Sequence, residues 1–169
     1  PGMVELAQGK IKVADLQEVS IKDLLGRESV PPNEELLSRN IENKVVMVTG
    51  AGGSIGSELC RQIFSLKPRI LILYELNELA LYTIESELLT IEAPNFKVLP
   101  ILGSVNNRSR LILIFKKFGV QTIYHAAAYK HVPMVEFNNS EGVNNNIFGT
   151  LNCAQAAIES GVNTFVLIS

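Results

Sequence analysis

KVVMVTGAGGSIG, residues 44 to 56, decides the fold: an apolar run of Val45, Val46, Met47 and Val48 empties directly into glycines at 50, 53 and 56. A run without polar alternation suits a strand buried on both faces of a parallel sheet. Gly50 lets the chain turn sharply at the carboxyl end of that strand, Gly53 has no Cβ to obstruct a pyrophosphate, and Gly56 lets the next helix lie close to the strand. The helix opening near Ser54 and Ile55 aims its unpaired N–H groups and positive dipole end at the anion, so the backbone alone is expected to bind it, without a dedicated Lys or Arg. A glycine-rich turn that binds nothing is the competing reading.

The spacing is G-x-x-G-x-x-G, one residue away from the common G-x-G-x-x-G dinucleotide fingerprint, and it points to the short-chain dehydrogenase/reductase type. No Gly-Lys-Ser/Thr follows, which excludes a P-loop. Strand and helix patterns then alternate. Strands are expected at Lys44 to Thr49, Arg69 to Tyr74, Phe96 to Ile101, Thr122 to His125 and Thr164 to Ile168. Helices are expected at Ile55 to Leu66, Asn77 to Ile91, Asn106 to Phe118 and Ser140 to Ser160. This is an α/β class chain, a doubly wound, Rossmann-like parallel sheet of about five strands.

Residues 1 to 43 read as a linker arm of mixed charge around Pro31-Pro32, and residues 44 to 169 as an NAD(P)-binding Rossmann domain cut short at its carboxyl end. Within the arm, Ser20-Ile21-Lys22-Asp23 has the form of a capping box with Gly26 as a stop, and Asn33 is placed to cap a helix over Glu34 to Arg39. The chain starts at Pro1 and stops at Ser169 directly after an apolar run, so both ends read as cut.

Glu75 stands at the end of the second strand, about twenty positions past the glycines, where a carboxylate hydrogen-bonds an adenosine ribose. It accepts from a 2′-OH and repels a 2′-phosphate, and no arginine follows at positions 76 to 80, so NAD is favoured over NADP. An ordinary Glu at a helix start is the alternative. Gly103-Ser104-Val105, after strand three, should pass near the adenine. After strand four, the small residues Ala126, Ala127 and Ala128 leave room for a flat ligand, and Tyr129, Lys130 and His131 put a phenol, an ammonium and an imidazole at the same sheet edge. These three suit a phosphorylated substrate or proton transfer, or are plain loop residues. Asn146, in the poor helix-forming run Asn144-Asn145-Asn146, is a candidate to bond backbone near the site, and His125 reads as a satisfied structural histidine.

Composition bounds the partners. A net charge of −2, with Lys116-Lys117 on a solvated helix face as the one basic doublet, argues against nucleic acid. Cys60 and Cys153 lack metal-type spacing and read as buried free thiols in a reducing compartment, so no metal is expected. No apolar run approaches the ~18 residues of a membrane span, so this stretch is expected to be soluble and to make no membrane contact. The apolar edge near Thr164 to Ile168 invites self-association into a homo-oligomer.

VTGAGGSIGSELCRQI at 48 to 63, HAAAYKHVPMVE at 125 to 136 and NIFGT at 146 to 150 resemble the CapD-like polysaccharide-biosynthesis proteins. These are nucleotide-sugar 4,6-dehydratases and C5-epimerases of the extended short-chain dehydrogenase/reductase superfamily. DLLGRESV at 23 to 30 looks like the family's linker ahead of the catalytic domain. The resemblance implies that Gly50, Gly53, Ser54 and Ile55 hold the pyrophosphate, Glu75 the ribose, Ser104 and Val105 the adenine edge, and Ala126 to Ala128 the nicotinamide side, with Tyr129, Lys130 and His131 facing a UDP-sugar. The family usually has Asp at Ser104, so weaker adenine recognition is expected. In the family the fifth strand runs into Ser-Thr-Asp-Lys, and this chain ends on the first of those four residues, so the catalytic triplet is expected just after Ser169. The parent implied is a membrane-anchored dehydratase with this domain in the cytoplasm. It would oxidise the sugar at C4, eliminate the C6 hydroxyl and return hydride to C6. A non-catalytic NAD(P)-binding regulatory module is the second reading. A third, an ordinary short-chain reductase, needs a Tyr-x-x-x-Lys that this chain lacks.

Overall fold

The computed structural model describes residues 33–91 and 95–169. The capping box at 20 to 23 and the linker resemblance at 23 to 30 lie outside the described residues. The first element is α1, Glu34–Arg39, over the span expected behind Asn33. Residues 40 to 43 contact the sheet: Ile41 is buried in the core, the Thr122 hydroxyl donates to the Asn40 carbonyl at 2.7 Å, and the Asn43 N–H donates to the Lys67 carbonyl at 3.3 Å.

Five parallel strands form one sheet in the order β3-β2-β1-β4-β5. They are β1 Val45–Thr49, β2 Ile70–Glu75, β3 Lys97–Leu102, β4 Thr122–His125 and β5 Thr164–Leu167. All five residues of β1 are buried, as its unbroken apolar run requires of a central strand. Pro100 sits in β3, at the sheet's edge, where a missing N–H is tolerated.

Helices α2 Ser54–Ser65 and α3 Glu78–Ile91 cover one face, burying Cys60, Ile63, Phe64, Leu81, Ile84 and Leu88 against Val46, Val48, Leu71 and Leu73. Arg61 ties these helices together, with Nε donating to Glu87 at 2.6 Å and a terminal nitrogen to the other carboxylate oxygen at 3.0 Å. The opposite face packs α4 Arg108–Phe118 and a later helix over Val45, Met47, Ile72, Tyr74 and Ile123. Helix α4 starts on an Asn107 side-chain cap and stops at Gly119, whose φ of 63° is left-handed. Both cysteines are buried and free, and burial pushes their thiols up to about 12.

The segment after β4 departs from the single helix expected over Ser140 to Ser160. It consists of α5 Val132–Phe137, α6 Asn139–Val143, a π-helical turn Asn144–Gly149, and α7 Thr150–Glu159. Pro133 in the first turn of α5 is a start signal, and Asn138 separates α5 from α6. A Cβ on Gly142 would press Val135 at 2.7 Å, so α6 folds closely onto α5 only because that residue is glycine. Within the π turn, Asn145 Nδ2 donates to Asn146 Oδ1, and Asn146 bonds the Tyr129 backbone, as described below.

Candidate functional site

Strand order runs outward from β1 to β3 on one side, then returns to β4 on the other. The carboxyl ends of β1 and β4 therefore flank the switch point, where doubly wound sheets bind ligands. Gly50 leaves β1 with φ +66°, and a Cβ there would lie 2.8 Å from the Ala126 carbonyl and from Ala127, so the two exits touch. Gly56 meets the Gly50 carbonyl so closely that no side chain fits, which brings the start of α2 onto the end of β1. Gly53 differs: a Cβ there meets only the Gly50 carbonyl oxygen, at 3.3 Å. Its backbone, φ −70° and ψ 165°, suits any residue. A Cβ there would require that carbonyl to give by a few tenths of an ångström, a milder clash than at Gly50 or Gly56.

A cleft of about 630 Å³ opens at this point, lined by Gly50, Gly53, Glu75, Ser104, Val105, Ala126, Ala127, Ala128, Tyr129 and His131 among the expected residues. A second cleft of about 540 Å³ shares Gly53, Ala128, Tyr129 and His131 with it and adds Ser54, Lys130, Met134, Val135, Asn138, Glu141 and Gly142. Three expected residues line neither. Ile55 turns a half-exposed side chain outward, Gly56 is pressed onto Gly50, and the Asn146 amide is taken by Tyr129.

Glu75 accepts three backbone N–H groups, from Gly52 at 3.0 Å, Leu76 at 2.8 Å and Asn77 at 2.9 Å. It therefore ties the glycine loop to the turn after β2 while standing in the cleft wall. On the far wall, the Tyr74 hydroxyl donates to the Ser104 carbonyl at 2.9 Å, and burial pushes this phenol up to about 12. Gly103 lies against the Tyr74 ring too tightly for a side chain. The Ser104 hydroxyl accepts from the Asn106 N–H at 3.2 Å and keeps its proton to donate.

Beside the backbone amides expected to face an anion stands a cationic side chain. Lys130 Nζ donates to Ser54 Oγ at 2.8 Å, in the first turn of α2. Among the described residues it forms no ion pair. A cation beside the positive end of a helix is unfavourable by itself and favourable with an anion between them.

His125 is 1% exposed, and burial lowers its pKa to about 4. Its Nδ1 lies 2.7 Å from Thr49 Oγ1 and its Nε2 3.0 Å from Thr150 Oγ1, the satisfied histidine expected from the sequence. Sequence reasoning passed over Gly52, whose Cβ would meet Ala80 at 2.5 Å, and Asn145, which lines the first cleft. The signal for Gly52 was a second small residue, Ala80, in the first turn of α3.

A parallel doubly wound sheet with a glycine loop at its switch point defines a Rossmann-type nucleotide-binding protein. Residues 46–169 match the model of a family described as polysaccharide biosynthesis protein, and the chain belongs to that family. It is 41% identical over 169 residues to the capsular polysaccharide biosynthesis protein CapD of Staphylococcus aureus, covering 100% of this chain and 28% of that protein. The chain thus spans less than a third of that relative's length. It is 34% identical over 133 residues to the uncharacterized membrane protein MJ1061 of Methanocaldococcus jannaschii (79% of this chain, 38% of that one). It is 32% identical over 127 residues to a UDP-N-acetylglucosamine 4,6-dehydratase (inverting) of Campylobacter jejuni (75% and 36%). Among solved structures, Bordetella bronchiseptica WbmG in complex with NAD and UDP aligns with TM-score 0.56 and 25% identity, over 72% of this chain and 36% of that one.

Proposed function

We propose that the chain is the NAD-binding portion of a nucleotide-sugar 4,6-dehydratase acting on a UDP-N-acetylhexosamine in polysaccharide biosynthesis. The observation that carries this reading is the meeting in one cleft of a loop glycine, Gly53, and a cation, Lys130, that forms no ion pair among the described residues and bonds Ser54 at the start of α2. Similarity to the Campylobacter dehydratase and to NAD- and UDP-bound WbmG supports the cofactor and the substrate class. Residues 44 to 169 form the cofactor domain in this reading. The chain spans 28% of the length of the CapD relative, and likeness to a protein named as a membrane protein supports an anchored parent.

NAD, when bound, supplies reversible hydride acceptance. The chain's own residues bind and orient. Gly50, Gly53 and the α2 amides take the pyrophosphate with Lys130 and Ser54, Glu75 takes the adenosine ribose, Ser104 and Val105 bound the adenine side, and Ala126 to Ala128 leave the nicotinamide side clear. Tyr129 and His131 stand in the wall shared by both clefts, on the substrate side.

Calorimetric titration of the chain with NAD and NADP tests the reading. NAD should bind more tightly than NADP, and Gly53→Val should weaken NAD by at least about tenfold, or 1.4 kcal/mol, while circular dichroism shows the chain still folded, because the backbone at Gly53 suits any residue. Equal affinity for both nucleotides, or a Gly53→Val variant that binds NAD normally, would overturn it.

A further inference from the structure

The two walls of the cleft are joined beneath it by side chains that do not line it. Thr49, the last residue of β1, is the register partner of His125, the last residue of β4. The Thr49 hydroxyl lies 2.7 Å from His125 Nδ1, and His125 Nε2 lies 3.0 Å from the Thr150 hydroxyl. Thr150 opens α7, and its hydroxyl also lies 2.7 Å from the Asn146 carbonyl in the π turn. Asn146 then grips the backbone of Tyr129 from both sides: Oδ1 accepts the Tyr129 N–H and Nδ2 donates to the Tyr129 carbonyl, each at 2.8 Å. The next residue is Lys130, planted on Ser54.

The proton count orders this chain of bonds. A carbonyl only accepts, so the single Thr150 hydroxyl proton points at Asn146. The Thr150 oxygen must then accept from His125, which puts the imidazole proton on Nε2. Nδ1 is left as an acceptor, and Thr49 donates to it. One tautomer satisfies every partner, and Phe165 packs beside the ring at 5.8 Å, centroid to centroid.

We infer that His125 and Thr150 are positioning residues for the ligand cleft: a strut from Thr49 through the imidazole holds the π turn so that Asn146 clamps Tyr129 and keeps Lys130 over the first turn of α2. The inference deepens the proposed function and rests on that reading only for the identity of the ligand. A π turn within a helical segment is a recurrent feature of functional sites. Here it is the element on which Asn146 reaches outward to the loop after β4 and Thr150 inward to the sheet.

Thr150→Val removes the hydroxyl at nearly constant volume, and Thr150→Ser retains it. Two readouts on the full chain test the strut: amide hydrogen exchange at Tyr129 by NMR, and NAD affinity by calorimetry, the latter also in a Lys130→Ala background. Thr150→Val should speed Tyr129 exchange at least about tenfold while the β1 and β4 amides keep their protection. It should also weaken NAD several-fold alone and add little once Lys130 is gone, the non-additivity expected of residues acting through one another. Thr150→Ser should restore both. Unchanged Tyr129 exchange, faster exchange throughout the sheet, or additive losses with Lys130→Ala would each overturn the strut. If Tyr129 exchange responds but Lys130→Ala leaves NAD affinity unchanged, the strut stands and the assignment of Lys130 to the cofactor falls.

Discussion

His125 shows how one buried side chain makes stability depend on pH. Burial favours the neutral ring and lowers its pKa from 6.5 to about 4. The neutral form therefore dominates in folded and unfolded chains well above pH ~6.5, and the fold loses stability as pH falls through ~6.5 toward ~4, where the folded ring also protonates. The shift corresponds to about 3 kcal/mol. Urea denaturation at pH ~7 and ~4 should show that loss in the wild type, and a flatter profile in His125→Gln; equal slopes would remove the imidazole as the cause. Tyr74→Phe should cost about 1 kcal/mol by the same measurement, because the Ser104 carbonyl loses its donor. Glu75→Gln should narrow the preference for NAD over NADP by about tenfold, since a neutral amide no longer repels a 2′-phosphate. The place of Gly50, Gly53 and Glu75 in the cleft wall was legible because it depends on spacing along one strand–turn–helix. The threefold grip of Glu75 on the backbone was not, since its partner Gly52 lies 23 residues away in sequence.

The start of α2 depends on what is missing from its side chains. Gly56→Ala would drive a methyl group into the Gly50 carbonyl and push the helix off β1. We expect a loss of about 2 kcal/mol in thermal unfolding followed by circular dichroism, together with weaker NAD binding; a variant that melts like the wild type would mean the helix shifts freely. Most elements agree with their sequence patterns to within a residue or two, α3 and β4 among them, because each is set by local periodicity and its own caps. The segment from 140 to 159 is the exception. Its pattern reads as one helix over Ser140 to Ser160, yet Asn146 bonds Tyr129 and Thr150 bonds His125, and these long-range partners stabilise a π turn that no local rule predicts.

At the scale of the whole molecule, the order β3-β2-β1-β4-β5 makes the site by bringing the ends of β1 and β4 together and leaving a crevice between them. The same order leaves β5 paired only to β4 among the described residues, with Leu167 half-exposed. Phe137, at 90% exposure, and Ile158, at 80%, add apolar surface. Sedimentation velocity should show concentration-dependent self-association, reduced by Leu167→Lys, as charges on an open edge oppose strand pairing; a monomer at all concentrations would dismiss the edge as a contact. The sequence by itself determined the fold class, the glycine loop, the carboxylate at Glu75 and the burial of both cysteines, because each follows from spacing or hydrophobicity within one or two neighbouring elements. Only the tertiary structure decided that Lys130 stands over Ser54, that one imidazole links β1 to α7, and that the asparagine run forms a clamp. Those contacts join residues 76, 25 and 17 positions apart, and such pairs meet only after the sheet has set which strand ends lie side by side.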